Sequence, residues 1–176
     1  MRFGDLPQWA LELSELVREA VLCSKFFSEC GDLGTHEQDV EACPLALNLL
    51  SREPLFDQLI VNVYQPGEVR GICSHVDLLR FDDGIAIVSL ESTCVMHFTC
   101  AVTTHSNQKE GEETDSPDVK VPVLLLPGSL VLMSGEARYG WKHEINRKPG
   151  FQVWEGREID QSQRTSVTLR RLCQTK

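Results

Sequence analysis

No CxxC pair occurs anywhere in this chain, although it carries seven cysteines (Cys23, Cys30, Cys43, Cys73, Cys94, Cys100 and Cys173). An odd count at irregular spacing, with several members inside apolar runs, excludes the regular framework of a disulfide-stapled secreted module and points to reduced thiols. Long hydrophobic runs are missing too. No apolar stretch approaches the roughly 20 residues that a membrane-spanning helix needs. The N-terminal MRFGDLPQW shows no apolar segment behind a basic start, so no secretory signal is visible. The expectation is an intracellular, monomeric protein of the cytoplasm or nucleus with no membrane partner. Basic charge is scarce: 17 Lys and Arg stand against 26 Asp and Glu, a formal net charge of −9. A protein that grips nucleic acid mainly through phosphates shows a basic face. Any such grip must here be local, and Arg164, Arg170, Arg171 and Lys176 are the densest basic cluster.

What is present suits one globular domain over residues 1–176, with 41% hydrophobic and 24% charged residues and no internal repeat or linker. Pro7, Trp9, Leu13, Leu16, Val17, Ala20 and Val21 recur at helical spacing, which predicts a helix ending near Cys30-Gly31 with one buried stripe. Trp9 and Trp141 read as core residues. A second short helix is expected over Pro44 to Ser51, making 1–52 a helical support region. From Phe56 the texture changes to strands. DQLIVNVY, GIAIVSLES, TCVMHFTC, VPVLLLPG, SLVLMSG, WKHEI and RTSVTLRRL are short β-rich runs, separated by turns such as Pro66-Gly67 and Pro127-Gly128. Ser106 to Val119 is acidic and polar, a surface loop between strands. Many short strands after N-terminal helices predict a mainly β (α+β) fold, an antiparallel sandwich or barrel over 56–173 with the helices packed on one side.

The stretch ICSHVD places His75 and Asp77 two residues apart, so an extended chain projects both to one face. Alone, His-x-Asp is common. A metal site asks for a third ligand, and His143 in GWKHEI, a short extended run, is the candidate. His36 and His105 fall in loops, and His97 reads as a sheet residue. Two imidazoles and one carboxylate leave coordination positions free, which suits non-haem Fe(II). Cys73 shares the parity of His75 and Asp77, so zinc stays open on geometry. The run RTSVTLR carries the decisive pattern. In a strand Arg164, Ser166, Thr168 and Arg170 face one way, and two inward arginines are costly without anionic partners. Their planar forks match carboxylates, and together they ask for a dicarboxylate such as 2-oxoglutarate. Asn62 and Tyr64, also two apart, can hydrogen-bond the same ligand.

The order NVYQPG, HVD, WKHEI, RTSVTLR, from about Asp57 to Leu172, resembles the AlkB family of Fe(II)/2-oxoglutarate dioxygenases. The resemblance implies a double-stranded β-helix, or jelly roll. It implies His75, Asp77 and His143 as iron ligands and catalytic centre, and Arg164 with Tyr64 on the distal carboxylate of 2-oxoglutarate. Asn62 and Arg170 would hold the chelating end, with Ser166 between the two arginines. The implied reaction consumes O₂, converts 2-oxoglutarate to succinate and CO₂, and hydroxylates a C–H bond; a hydroxylated N-methyl group leaves as formaldehyde.

Departures from the family pattern bear on substrate. EVRGICS ahead of His75 is longer than the family's turn, and extra residues near Val69-Arg70 are expected to bulge the loop. Where base-repairing relatives carry an acid, this chain has Leu78-Leu79. The family's nucleotide-recognition lid lies mainly ahead of the first helix, so little of it is expected here. GEARYGWKHEI and WEGREID resemble relatives that act on targets other than damaged DNA, and Trp154 is a candidate substrate residue in a polar loop. The expected activity is oxidative demethylation or hydroxylation of a modified nucleic acid, RNA ahead of DNA. The alternatives are the same chemistry on a protein side chain or small molecule, and a non-catalytic binding domain.

Overall fold

The computed structural model describes residues 2–3, 5–29, 45–100 and 119–173. The expected loop at 31–42, most of the acidic run 106–119, and His36, His105 and Lys176 lie outside the described residues. Helix α1 (Gln8–Glu29) follows a two-residue strand β1 (Arg2–Phe3), and α2 is the single turn Leu47–Leu50. The main-chain oxygen of Pro7 accepts from the amides of Ala10 and Leu11, so the proline stands immediately before the helix.

Two antiparallel sheets follow. The larger has the order β1-β2-β11-β4-β7, built from β2 (Gln58–Tyr64), β4 (Ile85–Leu90), β7 (Leu130–Met133) and β11 (Arg164–Arg170) with β1 at one edge. The smaller has the order β3-β8-β5-β6, from β3 (Ile72–His75), β5 (Cys94–Cys100), β6 (Lys120–Leu125) and β8 (Trp141–Ile145). A hairpin of β9 (Val153–Trp154) and β10 (Arg157–Glu158) stands apart. Its central residues Glu155 and Gly156 both have positive φ, 48° and 76°, as a two-residue hairpin turn requires. Trp154, expected in a loop, is therefore a half-buried strand residue.

Strand alternation decides which side chains meet. Ile85, Ile87 and Met133 of the larger sheet pack against Cys94, Met96, Leu125 and Ile145 of the smaller one, forming the interior of the jelly roll. Ala86, Val167, Leu169 and Leu59 point the other way, onto α1 through Leu6, Ala10 and Val17. The helices thus pack on one side, as expected. Complete burial of a side chain the size of Leu169 contributes about 1.5–3 kcal/mol.

The helix is rotated from the expected stripe. Ala10, Ser14, Val17 and Val21 are buried, whereas Trp9 is 47% exposed and Leu16 61%. Trp9 is not a core residue. Small residues line the contact, and the Ser14 hydroxyl donates to the Ala10 oxygen at 2.7 Å, which satisfies it within the helix. Trp141 is half-buried. Among the described residues no helix is long and apolar enough to cross a membrane.

Two features of the chain around β3 set the placement of His75. β3 carries an irregularity: Ile72 pairs with Ile145 and His75 with His143, so Cys73 and Ser74 on one strand stand against the single residue Glu144 on the other. The bulge falls at Cys73-Ser74, inside the strand and not in the loop at Val69-Arg70, and it resets which face His75 occupies. At Gly71 the two strands come so close that a Cβ would collide with the main-chain oxygen of Ile145. Only glycine fits there.

Candidate active site

The β3–β8 register sets His75 directly across from His143, with ring centroids 4.4 Å apart. β3 ends at His75, and Asp77 lies just beyond it. Its carboxylate Oδ2 is nonetheless 3.8 Å from His143 Nε2. One ligand atom from each of His75, Asp77 and His143 can be chosen so that all lie within 4.8 Å of one another. Asp77 and His143 are buried; His75 is exposed. Ring atom Nδ1 of His75 lies 2.7 Å from the Cys73 oxygen. A carbonyl can only accept, so Nδ1 carries the proton and the Nε2 lone pair is left for a metal. Burial, and next the neighbouring His75, lower the His143 pKa to about 4, so this imidazole is neutral and ready to ligate at physiological pH. Cys73 is exposed and its oxygen is engaged by His75. A donor set of two imidazoles and one carboxylate, without thiolate, fits Fe(II).

The larger sheet supplies the second half of the site. The β2–β11 register pairs Arg164 with Tyr64, Ser166 with Asn62 and Arg170 with Gln58. β4 adds Ser89 opposite Ser166. All four sequence-derived positions on β11 thus share one face, and Arg164, Ser166 and Arg170 are buried. Arg170 donates through Nη1 to Asp77 Oδ1 and through Nε to Gln58 Oε1 at 2.6 Å, while its guanidinium lies 3.9 Å from the Phe81 ring centroid. Burial lowers the Arg170 pKa, and Asp77 works against that shift. Arg164 is 0% exposed and donates through Nε to Ser89 Oγ at 3.2 Å. Its terminal Nη1 and Nη2, like Ser166 Oγ and Arg170 Nη2, are buried with no partner among the described atoms. Its guanidinium faces the Tyr64 ring at 5.6 Å, and burial raises the Tyr64 pKa against the pull of Arg164 and Arg147. Asn62 is half-buried beside them.

Unpaired buried donors are costly, a guanidinium most of all. Two arginine forks and a hydroxyl on one face of β11, with Arg170 bonded to Asp77 of the His–Asp–His cluster, fit a dicarboxylate reaching from metal to Arg164. Of the densest basic cluster, Arg164 and Arg170 are buried and Arg171 is half-exposed among the described residues.

Three buried polar residues had no sequence signal. Arg138 sits in α3 (Gly135–Tyr139), a five-residue helix between β7 and β8. It donates to the main-chain oxygens of Asp77 (3.0 Å), Leu78 (2.8 Å) and Phe81 (3.1 Å). Arg147 holds the oxygens of Gln65 and Glu68 at 3.2 and 3.0 Å, tying the β2–β3 loop to β8. Gln152 bonds both main-chain groups of Val95, at 2.7 and 3.0 Å.

The fold and cleft define the chain's class. The sequence profile of the 2OG-Fe(II) oxygenase superfamily matches residues 4–170, and the chain belongs to that superfamily, whose members use Fe(II), 2-oxoglutarate and O₂. Within it the chain is AlkB-like. It is 37% identical over 123 residues to the alkylated DNA repair protein ALKBH8 homolog of Arabidopsis thaliana, covering 66% of this chain and 34% of that protein. It is 35% identical over 140 residues to the tRNA (carboxymethyluridine(34)-5-O)-methyltransferase alkbh8 of Xenopus tropicalis, covering 70% of this chain and 19% of that protein. The chain therefore spans about a third or less of the length of these two relatives. The solved structure of OsALKBH1 superposes with a TM-score of 0.48 at 19% identity, covering 95% of this chain and 65% of that one.

Proposed function

We propose that this chain is a 2-oxoglutarate-dependent dioxygenase that demethylates or hydroxylates a modified nucleic acid, RNA in preference to DNA. The observation that carries the enzymatic reading is Arg164: a fully buried guanidinium with two nitrogens unpartnered among the described residues, on the strand face that also carries Arg170, which bonds Asp77 of the His75–Asp77–His143 cluster. In this reading those three residues hold the iron. When bound, iron with 2-oxoglutarate and O₂ supplies the oxidising chemistry. Arg164 takes the distal carboxylate of 2-oxoglutarate through its fork, with the Tyr64 hydroxyl beside it. Ser166 and Asn62 line the middle of the cleft. Arg170 holds Asp77 through Nη1 and offers Nη2 to the carboxylate end nearest the metal. Burial of Tyr64, Arg164 and Ser166 keeps water from the cosubstrate.

The RNA reading rests on the turn after Asp77 and on the company the chain keeps. Leu78 and Leu79 are 60% and 78% exposed, so an apolar surface stands where an acid would favour a cationic, alkylated base. The name of the Xenopus tropicalis relative specifies a tRNA uridine. A net charge of −9 with the main arginines buried argues against a broad phosphate grip.

Anaerobic addition of Fe(II) and 2-oxoglutarate should produce a visible metal-to-ligand charge-transfer band, and a folded sample without one would sink the enzyme reading. Mass spectrometry of products from tRNA, methylated single-stranded DNA and methylated peptides then assigns the substrate class. Oxidation of the peptide pool alone would overturn the nucleic-acid reading.

A further inference from the structure

We propose that Arg147 is a positioning residue for the cosubstrate: its buried guanidinium ties together the two strand ends that carry Tyr64 and Arg164, and so holds that pair at the spacing a distal carboxylate needs. The inference rests on the oxygenase reading and deepens it.

Arg147 lies two residues beyond the end of β8 at Ile145 and is 3% exposed. Its Nε donates to the Glu68 oxygen at 3.0 Å. Its Nη2 lies 3.2 Å from the Gln65 oxygen, 3.4 Å from that of Gln161 and 3.3 Å from that of Ser162. Gln65 directly follows Tyr64, the last residue of β2, while Gln161 and Ser162 lead into Arg164, the first residue of β11. The pairing of Arg164 with Tyr64 is the last rung of the β2–β11 ladder. One cation bonding carbonyls from both chain ends takes over where that ladder stops. A guanidinium is planar and its donors are fixed in direction, so it draws those carbonyls into one arrangement.

The same group reaches the cosubstrate side chains themselves. The Arg147 guanidinium carbon lies over the Tyr64 ring, 5.5 Å from its centroid, and that of Arg164 lies over the same ring at 5.6 Å. Two cations over one ring restrict the phenol and add positive potential where the distal carboxylate binds. Glycine-free turns could be tied down anywhere by such an arginine; here the tie falls beside the two residues assigned to one end of the ligand.

The test uses the full chain loaded with Mn(II), which keeps the site redox-silent, and calorimetric titration with two probes. 2-Oxoglutarate spans from the metal to Arg164. Oxalate can take the metal end and is too short to reach Arg164. The variants are Arg147→Met and Arg147→Lys, the second keeping the charge without the planar fork. Arg147→Met should weaken 2-oxoglutarate binding roughly tenfold, the scale of coupling between neighbouring residues, with Arg147→Lys between it and the wild type. Oxalate and Mn(II) should bind all three proteins equally. If Arg147→Met does not fold, Arg147→Lys carries the same comparison. Equal weakening of both probes would mean a merely structural role and overturns the proposal, as does unchanged binding of 2-oxoglutarate in the variants. A wild type that binds oxalate and not 2-oxoglutarate overturns the oxygenase reading itself, so the two failures are distinguishable.

Discussion

The guanidinium of Arg138, 2% exposed, holds the main-chain oxygen of Asp77 at 3.0 Å from beneath. Its other terminal nitrogen bonds the oxygens of Leu78 and Phe81, so one buried cation fixes the turn that carries the carboxylate of the His–Asp–His cluster. The main chain there lies between the end of β3 at His75 and the isolated bridge of Phe81 to Leu172. Arg138→Ala should cost about 3 kcal/mol of stability, from the loss of charge-assisted bonds to buried carbonyls. A purely structural role would leave metal affinity unchanged in the folded fraction. A positioning role lowers Fe(II) affinity at least tenfold at temperatures where the variant is folded. Urea denaturation and anaerobic Fe(II) titration on the same sample check both, with Arg138→Lys expected between wild type and alanine in each.

Asp77 and Arg170 form a buried pair, and neither tolerates being left alone. Asp77→Ala should abolish metal binding and also destabilise the metal-free protein by about 3–5 kcal/mol, because Arg170 keeps its charge with no anion opposite. Arg170→Met should destabilise too. The double substitution should be less destabilised than the sum of the singles, since it removes the charge together with its partner. Denaturant midpoints of the four proteins give the coupling directly. Additive losses would show that the pair is not what holds the turn to β11.

Arg164 should behave in the opposite sense. Without 2-oxoglutarate its two terminal nitrogens are buried and unpartnered, so Arg164→Met removes a desolvated cation and replaces it with apolar volume. The variant should be as stable as the wild type or more so, by about 1 kcal/mol, while losing the thermal shift that 2-oxoglutarate gives the wild type. Differential scanning fluorimetry with and without 2-oxoglutarate separates these effects. A variant that unfolds easily would mean that the guanidinium is structural and not held for a ligand.

The difference between Arg164 and Arg138 also shows what the sequence made legible. RTSVTLR alternates on a strand, where a period of two assigns faces without knowledge of the neighbours. Pairing with Tyr64 and Asn62 followed the same logic, and the observed register places them together. The His75–Asp77 spacing was legible for the weaker reason that both residues reach one cluster; the bulge at Cys73-Ser74 and the end of β3 at His75 left no local signal. Arg138 sits in five residues of helix that look like a charged surface turn, and nothing local says that it faces inward. Arg147 and Gln152 are similar, because each caps loop carbonyls that only the closed fold brings near. On α1 the periodicity fixed a helix but not its rotation, since Trp9 and Leu16 fit the spacing as well as Ala10 and Ser14 do. The small residues won because they let the helix approach the sheet.

The depressed pKa of His143 gives a pH dependence with a definite sign. Burial is the largest cause, the adjacent His75 the next, and Arg138 and Arg170 add to it. Asp77 opposes the shift from 3.8 Å, but its charge is already engaged by Arg170, so the imidazole remains hard to protonate. In the unfolded chain His143 takes up a proton near the ordinary 6.5, whereas the folded metal-free protein resists until about 4. The unfolded state therefore binds more protons between those values. The contribution is fully present above pH 6.5 and is lost as pH falls toward about 4, at a rate from this one group of at most about 1.4 kcal/mol per pH unit. Metal-free wild type should lose thermal stability over that window faster than His143→Asn, which has no imidazole to protonate. Subtracting the two curves isolates the histidine. Parallel curves would mean that His143 titrates normally in the folded protein, and that its burial does not control its charge.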